Sequence, residues 1–81
     1  MNPHFASLVL GLAQQAEAAL AGQLPDDVSA AEGRNLAQAL IDTLGMLADK
    51  TADKLDADEK QLLDQALTSL RFRFVQTVPK T

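Results

Sequence analysis

Few side chains in this sequence have the type and spacing that chemistry requires. His4, the only histidine, falls near a helix start without a partner that could share a metal or a proton, so it reads as an exposed terminal side chain. Asp53, Asp56, Asp58 and Glu59 form an acidic run that invites comparison with calcium sites. The alternating ligands, central Gly and distant Glu of a calcium loop are missing, and acids at a helix start are what the helix dipole favours, so capping is the expected role. Asp42 and Asp49 project from one helix face with Gln38 a turn before them. Paired carboxylates can do acid and base work, but this face has the pattern of the solvated side of an amphipathic helix. Arg71-Phe72-Arg73-Phe74 alternates cations with aromatics, a pattern that could stack on bases. Gly-rich phosphate loops, metal-spaced His or Cys pairs and serine elbows are all missing from the sequence. The expectation is a protein that is not an enzyme and takes no cofactor and no metal.

Composition narrows the partners. Seven Lys and Arg against eleven Asp and Glu give a net charge of −4, and a surface of that sign repels phosphate backbones and anionic lipids. No nucleic acid and no membrane partner is expected. With no Cys, disulfides, thiolate metal sites and thiol catalysis are excluded. Leu, Ile, Val and Phe make up 22 of the 81 residues, enough apolar surface to fold but room for only one domain, residues 1–81. The first segment has no basic n-region, and Gln14, Gln15 and Glu17 interrupt it before spanning length, so a cytoplasmic location is expected.

The elements that carry these residues follow from caps and periodicity. Asn2 suits an N-cap, Pro3 the first helical position, and Gly22 with Pro25 a stop, which predicts a helix over about 3–21. Ser29-Ala-Ala-Glu32 and Asp56-Ala-Asp-Glu59 read as capping boxes, where the first side chain accepts from a helix amide and the Glu reaches back. They open helices over about 30–51 and 57–76, the last followed by Pro79. Apolar stripes at three-four spacing run along all three: Phe5, Leu8, Val9, Leu12, Ala13, Ala16, Ala19 and Leu20; then Leu36, Ala37, Leu40, Ile41, Leu44, Leu47 and Ala48; then Leu63, Ala66, Leu67, Leu70 and Phe74. Leu8, Leu12, Leu40, Leu44, Leu47, Leu63, Leu67 and Leu70 are the expected core. The connections, residues 23–28 and a short turn around Asp53, suit antiparallel neighbours. Rods near 30 Å long, at about 1.5 Å per residue, predict an all-α, three-helix antiparallel bundle. Gly11 and Gly45 each cost a helix about 1 kcal/mol against Ala, which points either to close backbone approach at a crossing or to a tolerated surface Gly.

Some apolar residues fall off the stripes. Leu10 widens the apolar arc of the first helix beside Ala6 and Ala13, and Phe72 points away from the stripe of the third, onto the face of Gln65, Thr68 and Gln76. With Val75 and Leu62 on its flanks, Phe72 could seed a contact surface, since exposed aromatics are enriched at interfaces.

Leu40-Ile-Asp-Thr-Leu-Gly-Met-Leu47, Lys50-Thr51, Leu55 with Glu59, Leu62 and Leu63, and Leu70-Arg-Phe-Arg-Phe-Val75 resemble the small bacterial domain-of-unknown-function 1844 family, as does the opening Phe5-Ala-Ser-Leu-Val-Leu. The resemblance runs from about Phe5 to Val75. It implies a compact helical bacterial protein and no reaction, and it offers no catalytic residues. Where the family tends to have Gly and Asn after the Lys-Thr pair, this chain has Asp53 and Lys54, which makes a left-handed turn there costlier.

These readings combine into a self-associating interaction module, a homodimer whose interface contains Phe72, Leu10, Val75 and Leu62 and whose bundles pair into a larger helical bundle. The alternative is a small adaptor or subunit that uses the same surface for an unidentified protein partner.

Overall fold

The computed structural model describes residues 1–23 and 25–77. It contains α1 (Pro3–Leu20), α2 (Ala30–Lys50) and α3 (Ala57–Gln76), with no strand among the described residues. The expected helices are present with bounds within one residue. Pro79 and Leu24, expected in flanking and connecting segments, lie outside the described residues.

The ends form where the cap chemistry is strongest. The Asn2 side chain accepts from the amides of His4 and Phe5 at 2.8 and 3.2 Å, with Pro3 following in a position that needs no donor. At the other end of α1, Gly22 takes a left-handed φ of 77°. The Gln23 amide then reaches the Ala18 carbonyl and the Gly22 amide the Ala19 carbonyl, the paired bonds of a Schellman stop. The Asp56 box is complete: Glu59 N donates to Asp56 Oδ1 at 2.8 Å and Asp56 N donates to Glu59 Oε1 at 3.0 Å. The Ser29 box is only half formed. Ser29 Oγ accepts from Glu32 N at 3.1 Å, but Glu32 Oε1 accepts from the Ser29 hydroxyl at 3.2 Å and does not reach the Ser29 amide. The turn after α2 closes with the Lys54 amide on the Thr51 carbonyl and with no left-handed residue.

Each pair of helices is in contact, and two polar links fix which ends meet. Glu59, although charged, is buried. Its second oxygen accepts the Asn2 amide at 2.9 Å, so one carboxylate joins the N-caps of α1 and α3 and sets these helices parallel. At the opposite end, the Arg34 guanidinium lies 3.8 Å from the centroid of the Phe74 ring and donates to the Phe74 carbonyl at 3.0 Å. That contact joins the start of α2 to the end of α3, where a cation also offsets the helix dipole.

Val9, Ala16, Ile41, Leu44, Leu63, Leu67 and Leu70 form the buried cluster, with Leu12, Leu40 and Leu47 partly buried against it. Two stripe assignments need correction: Leu8, expected in the core, is 49% exposed, and Leu36 is 47% exposed. A helix with two neighbours buries the arc between them, and these leucines stand at the edge of that arc while Val9 and Ala37 occupy its middle. Of the two readings of Gly11 and Gly45, close backbone approach is absent at both. A Cβ on Gly11 would meet nothing within 4 Å, and one on Gly45 would meet the Arg71 guanidinium at 3.3 Å.

Leu44→Ala or Leu67→Ala should cost about 2–5 kcal/mol in urea unfolding, the range for truncating a packed core leucine; a change below about half a kcal/mol, the size of an ordinary surface effect, would contradict the core assignment. Glu59→Ala should cost about 1–3 kcal/mol because it strands two partly buried amides. Glu59→Gln, which keeps one acceptor oxygen, should cost less.

Candidate interaction surface

The polar candidates settle into structural surroundings. His4 is exposed in the first turn of α1. Asp42 accepts from the Gln38 side chain at 2.8 Å, and both Asp42 and Asp49 are exposed on α2. Within the acidic run, Asp56 and Glu59 are occupied with the cap of α3. Among the described residues no group of three or more His, Asp or Glu stands close enough to hold a metal ion. The Glu59 amide holds the Asp56 carboxyl below its usual range, aided by the Met1 amino group 3.3 Å from Oδ2. Arg71 extends over Gly45, and Arg73 lines the α1–α3 groove with Gln14, Glu17 and Ala21. Sequence spacing did not reveal the stacking of Arg34 on Phe74, because these residues are forty positions apart.

The expected interface residues occupy different places. Phe72 and Val75 are 64% and 68% exposed, Leu10 is 47% exposed, and Leu62 is half-buried against the core. Leu10 belongs to the row Leu10, Gln14, Glu17 and Ala21 on the α1 edge facing α3. Leu62 belongs to the row Leu62, Ser69 and Arg73 on the α3 edge facing α1. Because the N-caps of α1 and α3 are joined, Leu10 and Leu62 stand at similar heights along the α1–α3 side. Phe72 stands farther along it, on the rim of an open groove of about 480 Å³ with Leu20, Arg73 and Gln76. Val75 lies one turn after Arg71, on the flank toward α2. Leu10, Leu62 and Phe72 thus lie along the α1–α3 side, with Val75 on the other flank of α3.

The sequence reading missed a second exposed apolar side. The α1 edge facing α3 carries Leu10, so the opposite edge, with Leu8, Leu12 and Ala19, faces α2. On α2 the edge facing α3 carries Arg34 and Gly45, which contact Phe74 and Arg71. The opposite edge, with Leu36, Leu40 and Leu47, therefore faces α1. Leu8 and Leu36 protrude from this seam, and Met46, 48% exposed, stands beyond it on α2. The signal was present in the sequence as Leu36 and Leu8, which the periodicity had placed inside.

A family model described as Domain of unknown function (DUF1844) matches residues 2–76. No curated protein and no solved structure matches the chain. Among the described residues no helix is long and apolar enough to cross a membrane.

A cap held by a depressed carboxyl pKa stabilises the fold fully above the ordinary Asp value of about 3.9 and loses that contribution as pH falls through the folded value. The melting temperature of the wild type should therefore drop more steeply below about pH 4 than that of Asp56→Asn, which keeps a capping oxygen but does not titrate. Parallel curves would contradict the assignment. If the acidic run only caps, micromolar calcium, magnesium or zinc should leave the melting temperature unchanged.

Proposed function

The chain belongs to the DUF1844 family, and we propose that it acts by association: a small helical module that pairs with a second copy of itself. The observation that carries this reading is the surplus of exposed apolar side chains. Leu8, Leu10, Leu36, Met46, Phe72 and Val75 remain between 47% and 68% exposed. Single exposed leucines are ordinary, but here Leu8 on α1 and Leu36 and Met46 on α2 all remain half exposed on the α1–α2 side of the bundle. Apart from His4, Glu17 is the only acidic or basic side chain in the eighteen residues of α1. A helix with so little charge is the usual partner of a covering layer, and only one side of it is covered by α2 and α3.

A second reading has its own observation. Phe72 and Val75, the most exposed of these side chains, stand at the end of α3, away from the α1–α2 seam. Under this reading the module is an adaptor, and the Phe72 end receives a different protein.

Sedimentation of the wild type from low to high micromolar concentration tests the main reading. A mass that approaches twice 8.6 kDa is expected. A monomer throughout that range would defeat self-association and leave the adaptor.

A further inference from the structure

Six residues of α2 form one exposed row along the full length of the helix: Glu32, Leu36, Ala39, Thr43, Met46 and Lys50. Their spacing alternates four and three, the mean period of a coiled-coil seam, so the row stays aligned with a second helix laid against it. The Thr43 hydroxyl donates to the Ala39 carbonyl at 2.9 Å, so its hydrogen-bonding need is met inside the helix and its methyl group is left to pack. Four packable side chains therefore occupy the middle of the row, with an acid at one end and a base at the other.

The row is also symmetric. Counted from Ile41, Glu32 and Lys50 stand nine positions away on either side, Leu36 and Met46 five, Ala39 and Thr43 two. A two-fold axis crossing α2 at the level of Ile41 places Leu36 against Met46 of the second copy, Ala39 against its Thr43, and Glu32 against its Lys50. Resting on the self-association reading, we infer that the row Glu32-Leu36-Ala39-Thr43-Met46-Lys50 is the seam of an antiparallel homodimer, with α2 packed on α2 of the second copy.

Charge selects both the occupant and its direction. Two copies that each carry a net charge of −4 repel over most of their surfaces, and this row lets them meet with opposite charges paired at both ends. A parallel arrangement would instead set Glu32 against Glu32 and Lys50 against Lys50, which disfavours that orientation. Leu8, on the α1 edge next to this side, supplies further apolar surface beside the row.

Charge exchange tests the seam. Glu32→Lys and Lys50→Glu each turn two attractive end pairs into two repulsive ones and should weaken the dimer about tenfold, while the double variant restores attraction and should return to within about threefold of wild type. Met46→Glu should weaken the dimer by tenfold or more without loss of helical signal, since the residue is exposed in the single chain. Because the chain has no Cys, an equimolar mixture of Ala39→Cys and Thr43→Cys should oxidise to a mixed disulfide dimer more readily than either variant alone. Single exchanges that leave the dissociation constant unchanged, or a double variant as weak as the singles, would overturn the seam. A dimer that responds to Phe72→Asp and to none of the row variants keeps self-association and moves it to α3. A wild type that stays monomeric defeats the reading on which the seam rests.

Discussion

Three helices in mutual contact can cover only one arc of each, and that limit decides which of this chain's many apolar residues are buried. Val9, Ala16, Ala37, Ile41, Leu44, Leu63 and Leu70 lie in the middle of their arcs and lose nearly all contact with solvent. Ala at positions 16, 19 and 37 keeps the helices close, so a small chain reaches close packing without covalent staples. Leu8, Leu10, Leu36 and Met46 fall outside the arcs and remain about half exposed. The bundle is thus complete as a fold and over-supplied with apolar surface, and the proposed function follows from that excess.

Two polar contacts hold the arcs in register. Glu59 is buried by the caps it serves: each of its oxygens receives an amide, one from Asp56 and one from Asn2. A buried carboxylate is tolerable when its acceptor sites are filled, and two helix N-termini supply both donors and a favourable dipole. Arg34 performs the matching task at the far end, where its guanidinium meets both an aromatic face and the Phe74 carbonyl. With both ends fixed, the helices cannot slide past one another without breaking charge-assisted hydrogen bonds, and the exposed rows keep fixed positions.

The helices were legible because their ends are written in local chemistry: Asn2 with Pro3, Gly22, Ser29 and the Asp56 box each act within a few residues. The directions of the stripes were legible for the same reason, although the expected core left out Val9, Ala16, Ala37 and Ile41, which are buried. The widths of the stripes were not, because periodicity gives the direction of a side chain but not how far a neighbour extends to cover it; Leu8 and Leu36 were therefore assigned to the interior. The contacts of Asn2 with Glu59 and of Arg34 with Phe74 join residues 57 and 40 positions apart, beyond any local pattern. Phe72 and Val75 were read as exposed from spacing alone, and they are. The α2 row was present in the sequence throughout, but with Leu36 counted as core its symmetry about Ile41 was hidden.

In the proposed dimer, surplus apolar surface on α2 is covered by the same surface of another copy. Isotope-filtered nuclear Overhauser spectra on a mixture of labelled and unlabelled chains address it at the level of single methyl groups. The α2 seam predicts contacts between Leu36 methyls of one copy and the Met46 methyl of the other, with none between Leu36 and Leu36. An interchain spectrum that lacks Leu36–Met46 contacts, or that contains only contacts to Phe72 and Val75, would contradict it.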